Sequence, residues 1–251
     1  MLEITVYKIM HAHESEARKL IPHIQGSDVF SIEMAALSKQ ESLQTANSWA
    51  ETLQDPGMNR TRARQKISQK FNSSKLSSGD SEISYWLSVF DYLYRNNVGV
   101  WLAEQYETRE EGRAMNSNIV RMIRETDRGF DLINRGMQAG KALVYSTDKE
   151  WGVINDRRDR TIGAVAQEAE QRIRESYPWL SQKPTIKWGI PIGAWHQPEC
   201  YIPGASVVDL SPPESEVISL ARLLRTKIGE GVSLEGVSDI IDQLAQARLR
   251  H

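Results

Sequence analysis

The chain has 251 residues, 40% hydrophobic and 25% charged, the balance of a globular protein with a sizeable core of its own. Its 31 Lys and Arg against 33 Asp and Glu leave a formal charge of -2, which gives no electrostatic case for nucleic acid or an anionic membrane as partner. One cysteine, Cys200, excludes an internal disulfide and a multi-cysteine zinc site, and no run approaches the ~20 apolar residues that span a bilayer.

The amino terminus enters an apolar alternation directly, with Glu3 and no basic segment before a long apolar stretch. No signal peptide is therefore expected, and the chain reads as soluble and cytoplasmic. Leu2, Ile4, Val6, Ile9 and Met10 form a first strand that leads into His11-Ala12-His13. Ala17, Leu20, Ile21 and Ile24 then recur at helical spacing, with Glu14 and Glu16 where the helix dipole favours acids. Gln25-Gly26-Ser27-Asp28 is a turn, and Val29-Phe30-Ser31-Ile32-Glu33 is a short strand ending in a carboxylate. This β-α-β unit predicts two parallel, neighbouring strands.

Residues 35–95 change texture. Helices are expected around 40–53 and 60–71, separated by Asp55-Pro56-Gly57, and 72–80 is a polar, disorder-prone loop. Ser81 can cap a helix whose stripe is Ile83, Trp86, Leu87, Phe90 and Leu93. The whole stretch is expected to be a helical insertion over the sheet, a candidate lid. Val98 to Ala103 reads as a third strand closed by Glu104, and 109–135 as a helix punctuated by Gly136 and Gly140. Ala142-Leu143-Val144-Tyr145 reads as another strand. Asn155 to Arg160 precedes a helix through Arg174, which Tyr177-Pro178 stops. Ile186, Trp188, Ile190 and Ile192 alternate in a further strand that breaks at Gly193 and delivers His196. Prolines 198, 203, 212 and 213 mark an irregular passage, after which 215–227 and 233–250 form two helices. The expected fold is one α/β domain over 1–251 with a mainly parallel central sheet, flanking helices, the 35–95 insertion and a helical pair at 214–251.

Parallel strands place their carboxyl ends on one edge, where open α/β sheets build sites. His13, Glu33 and His196 each fall at or just past such an end. Two imidazoles and a carboxylate suit two jobs, and the residues leave both open. They can hold a divalent metal such as manganese, cobalt or zinc that activates a water. They can also act without metal, a histidine or the glutamate serving as general base. His11 is a rival or supporting partner of His13. Arg158 can reach a carboxylate, phosphate or developing oxyanion with its fork, or form an ion pair with the sheet, and Asp159 beside it is expected near a helix amino terminus. Glu104 is either an acid of the site or a salt-bridge partner of those arginines.

In this order of elements the chain resembles the broad group that includes the TraB/PrgY proteins, the Tiki metalloproteases, the erythromycin esterases and the ChaN-like haem-binding lipoproteins. The residues that carry the resemblance are Gly193-Ala194-Trp195-His196, Glu33 after Phe30-Ser31-Ile32, Arg158-Asp159 followed by Ile162-Gly163, and His13 in Met10-His11-Ala12-His13. In the first motif Met10 stands where that group has glycine, which alters the backbone freedom beside His13. The resemblance implies an α/β fold with a duplicated β-α-β theme. Its members include metal-dependent peptidases, metal-independent esterases and non-enzymatic binders. The expected function is hydrolysis of an ester or peptide-like small substrate by His13, Glu33, Arg158 and His196, with His13, Glu33 and His196 as candidate metal ligands. The alternative is a catalytically silent binding or signalling protein on the same fold, taking a small-molecule or haem-like ligand.

Overall fold

The computed structural model describes residues 1–9, 14–32, 38–55, 57, 61, 62, 65, 80–193, 196–210 and 216–250. Seven α-helices and five strands occur among them, and the strands form one all-parallel sheet flanked by helices, an α/β fold. The chain groups into two compact units, Met1–Gly112 with Asp159–Ser211, and Arg113–Arg158 with Pro212–His251.

The first unit holds the sheet: β1 (Leu2–Ile9), β2 (Val29–Phe30), β3 (Gly99–Val100), β4 (Ile186–Gly193) and β5 (Ser206–Asp209), in the order β3-β2-β4-β1-β5. β4 is the central strand and is buried along almost its whole length, as its run of isoleucines and Trp188 predicts for a strand covered on both faces. It pairs with β1 from Leu2↔Ile186 to Ile9↔Gly193 and with β2 at Val29↔Trp188 and Phe30↔Gly189. β1 and β2 are thus parallel but not neighbours as expected, because β4 lies between them. Ser31 N–H donates to Gly189 O at 2.8 Å, and the next rung of that ladder would be a donation from residue 191. Pro191 has no N–H to give, so the β2–β4 pairing ends there and releases the chain at the carboxyl edge. On the other side of β4, β1 continues through Lys8 into pairing with β5, an edge strand within the passage read from its prolines as irregular.

The helices of this unit are α1 (Glu14–Ile24), α2 (Lys39–Gln54), α3 (Asp80–Arg95) and the later part of α5 (Ala139–Ser176). Ser38 caps α2, its hydroxyl accepting the Glu41 N–H at 3.2 Å. Ala46 and Trp49 of α2 and Tyr85, Trp86, Val89, Phe90 and Leu93 of α3 enter the main core, so these two helices are core elements. The Trp49 indole also donates to Val98 O at 2.9 Å, tying α2 to the entry of β3. The edge strand β3 is closed by Tyr177, whose hydroxyl donates to Val100 O at 2.6 Å and accepts from Val100 N–H at 2.8 Å. One phenol thereby satisfies both backbone groups of a buried edge residue. Burial pushes that phenol well above its ordinary range. The helix expected over 60–71 falls largely outside the described residues.

The second unit is helical. It comprises α4 (Arg109–Asn134) from Arg113 onward, α5 as far as Arg158, α6 (Glu216–Gly229) and α7 (Leu234–Leu249). Its core is Phe130, Val144, Leu224, Ile228, Val237, Ile241, Leu244 and Ala245. The predicted strand Ala142–Tyr145 lies inside α5, and the helix expected to follow 155–160 begins instead at Ala139. Four apolar residues in a row fit a short strand or part of a helix alike, and no proline lies between Tyr145 and Asn155, where Gly152 alone weakens a helix without ending it. Gly136, at φ +74°, turns the chain between α4 and α5. Gly140 lets the two helices touch: a Cβ there would sit 2.6 Å from Gly129 O and 2.7 Å from Ile133 N. Lys141 binds Asp242 at 2.5 Å and Ser238 at 2.9 Å, and Arg225 meets Asp148 at 3.1 Å, pinning α5 to α7 and α6. No described helix is long and apolar enough to cross a membrane.

Candidate functional site

All five strands being parallel, their carboxyl ends share one edge of the sheet. At the end of β4 the Gly193 carbonyl accepts the His196 N–H at 3.0 Å. His196 is 4% exposed, and its Nδ1 lies 2.7 Å from Oδ1 of Asp159, also 4% exposed. The second oxygen, Oδ2, accepts the Gln197 N–H at 2.8 Å. One buried carboxylate on α5 thus fixes both the imidazole and the backbone that follows it. Burying such a charge is costly unless both oxygens are engaged, and here they are.

The pairing decides the chemistry of the ring. A carboxylate at Nδ1 holds the proton there, so in the neutral imidazole Nε2 carries the acceptor lone pair. That is the arrangement in which a histidine takes a proton from a nucleophile while the carboxylate steadies the imidazolium. It is equally the arrangement of an imidazole that binds a metal through Nε2.

The turn beyond His196 is held independently. A 3-10 segment, Pro198–Tyr201, packs so closely on α5 that a Cβ on Gly163 would stand 2.8 Å from Tyr201 O. The Arg160 guanidinium lies 5.1 Å from the centre of the Tyr201 ring. Lys8 of β1 reaches Glu199 in the same segment at 2.5 Å, both side chains mostly buried. At the end of β3, Glu104 is 5% exposed and accepts a hydrogen bond from the Tyr106 hydroxyl. Ser31, past the end of β2, donates to Trp101 O at 2.6 Å and accepts from the Trp188 indole at 2.9 Å. Its hydroxyl therefore ties the ends of β2 and β3 to a side chain of β4 and is engaged structurally.

Of the residues expected from the sequence to form the site, His196 lies at the carboxyl edge as read, and Glu104 is buried beyond β3. His13 and Glu33 lie outside the described residues, as do Met10 and His11. Arg158 is half-buried on α5, one position before Asp159, and one helical step of about 100° sends the two side chains in different directions. Asp159 is not near a helix amino terminus as expected. It sits in the interior of α5, so the dipole does not account for it and the His196 and Gln197 contacts do. The pair Lys8 and Glu199 is one that the sequence reading lacks, and the signal that finds it is a lysine among the apolar residues of an interior strand, β1. Among the described residues, no three His, Cys, Asp or Glu side chains are grouped to hold a metal ion. His196, supported by its carboxylate, fits one ligand position.

Comparison with models of protein families, with curated proteins and with solved structures returned no match for this chain.

Proposed function

We propose that the protein is a hydrolase of an ester or peptide-like small molecule, with His196 as general base and Asp159 as the carboxylate that orients it. The observation that carries this reading is the buried 2.7 Å contact of His196 Nδ1 with Asp159 at the carboxyl edge of a parallel sheet. As a water or alcohol attacks the substrate carbonyl, Nε2 takes its proton, and the imidazolium that forms is stabilised by Asp159, which stays ionised. The proton is then available to the leaving group. The motifs shared with the TraB–Tiki–erythromycin esterase group, Gly193 to His196 and Arg158-Asp159, support the same reading. His13 and Glu33 are the further groups we assign to this pocket. Were they to join His196 around a divalent metal, the metal would supply an activated water.

Purified protein assayed against a panel of activated esters and short peptides is expected to hydrolyse at least one, and His196→Ala is expected to abolish that activity. Melting temperature with added manganese, cobalt or zinc separates the two forms of the reaction, since a ligand held only by the folded state raises it. A rise present in wild type and lost in His196→Ala assigns the metal-dependent form. An inert wild-type protein across the panel would remove the enzyme reading and leave a binding protein on the same fold, which the burial of His196 favours.

A further inference from the structure

The edge of the sheet opposite His196 carries a cavity of about 410 Å³, within the range of about 300–1,000 Å³ that small-molecule sites occupy. It lies in the first unit, where the chain enters β2 and β3, and is lined by Asp28, Leu53, Gln54, Asn96, Asn97 and Trp179 among others. We propose that this cavity binds a neutral pyranose sugar, stacked on Trp179 and hydrogen-bonded by Asp28 and the amides of Gln54, Asn96 and Asn97.

Trp179 is 40% exposed, whereas Trp49, Trp86, Trp101 and Trp188 are all buried. Its ring rests against Tyr177 at 5.1 Å between centres, and Tyr177 is itself anchored at both backbone groups of Val100. An exposed indole presents a negative π face, to which the polarised C–H groups on one face of a pyranose are attracted. Around it stand groups that match hydroxyls. Asp28 is held by Lys183 at 2.5 Å and by the Lys187 N–H at 2.9 Å, so its position is set and its charge is countered. A carboxylate offers about four acceptor sites, and two contacts leave others for a ligand. Asn96 donates to Tyr92 O at 2.8 Å, which fixes its amide. Gln54 and Asn97 add two further exposed amides, each able both to donate and to accept, as a sugar hydroxyl does. With Lys183 opposite Asp28, the cavity offers neither an anion nor a cation site, which points to an uncharged polyol.

The test is saturation-transfer NMR on the full chain with the methyl glycosides of glucose, galactose, mannose and N-acetylglucosamine, and with adenosine and uridine as planar controls. Transfer to the C–H protons of one face of at least one glycoside is expected. Affinity should weaken at least tenfold in Trp179→Ala and measurably in Asn97→Gly, which tolerates the +52° φ at that position. His196→Ala should bind as wild type does, because the two sites are on opposite edges. No transfer to any glycoside, unchanged affinity in both cavity variants, or binding of the nucleosides in place of the glycosides would each overturn the proposal.

Discussion

Tyr177 uses its hydroxyl on a single residue, Val100, whose N–H and C=O would otherwise face a buried strand edge without partners. Removing that oxygen leaves two backbone groups unsatisfied at once. Tyr177→Phe is therefore expected to cost roughly 2–4 kcal/mol, read as a lower denaturation midpoint with an unchanged denaturant slope. Gly163 acts differently, by having no side chain where α5 meets the turn after His196. Gly163→Ala must push that turn away, and overpacking of this kind costs about 1–3 kcal/mol. Because the Pro198–Tyr201 segment begins two residues after His196, the variant should lose ester hydrolysis by more than its stability loss explains. Equal activity at a temperature where the variant remains folded would show that the turn has no part in placing the imidazole.

The elements show what a sequence discloses and what it conceals. β4 is legible because alternating isoleucines, Trp188 and a glycine at the exit describe a buried strand and its end, and α4 because Ile119, Met122, Ile123, Phe130 and Ile133 recur at helical spacing. The start of α5 is hidden in the sequence: Ala142 to Tyr145 is a run of four apolar residues, of which only Val144 is buried, at the α4 crossing, while Tyr145 is partly buried beside it and Ala142 is exposed. β5 escaped notice because an exposed four-residue edge strand between prolines carries almost no periodic signal. The α4–α5 crossing gives the prediction at this scale. Gly140→Leu would place atoms against Gly129 O and Ile133 N, so the melting temperature should fall, with a loss of ~1–3 kcal/mol or more. Gly152→Ala, where a Cβ meets nothing within 4 Å, serves as the control and should be neutral or slightly stabilising. Equal melting of both variants would contradict the close crossing.

For the molecule as a whole, pH dependence follows from two buried phenols. Burial raises the pKa of Tyr177 and, as the largest influence, that of Tyr7, which donates to His23 O at 2.8 Å. A group whose folded pKa lies above its unfolded value keeps a proton that the unfolded chain releases. The stability it contributes is therefore complete below the unfolded phenol pKa of about 10 and is lost as pH rises beyond it. Chemical denaturation between neutral and strongly alkaline pH should show that decline, and Tyr177→Phe should flatten it; a parallel decline in the variant would assign the loss elsewhere. The candidate site was half legible for a related reason. His196 follows a strand and a glycine, so its place at the sheet edge can be read locally. Its partner is 37 residues away, within a helix whose start was itself misplaced, and only the packing of α5 on the sheet brings the two together. The central claim is that this pair performs proton transfer, and the most direct measurement is the steady-state hydrolysis of the best ester by wild type and Asp159→Asn at matched folded fraction. The account predicts a fall in kcat of about 10²–10⁴-fold with KM little changed. An Asp159→Asn protein that hydrolyses the ester as fast as wild type would contradict it.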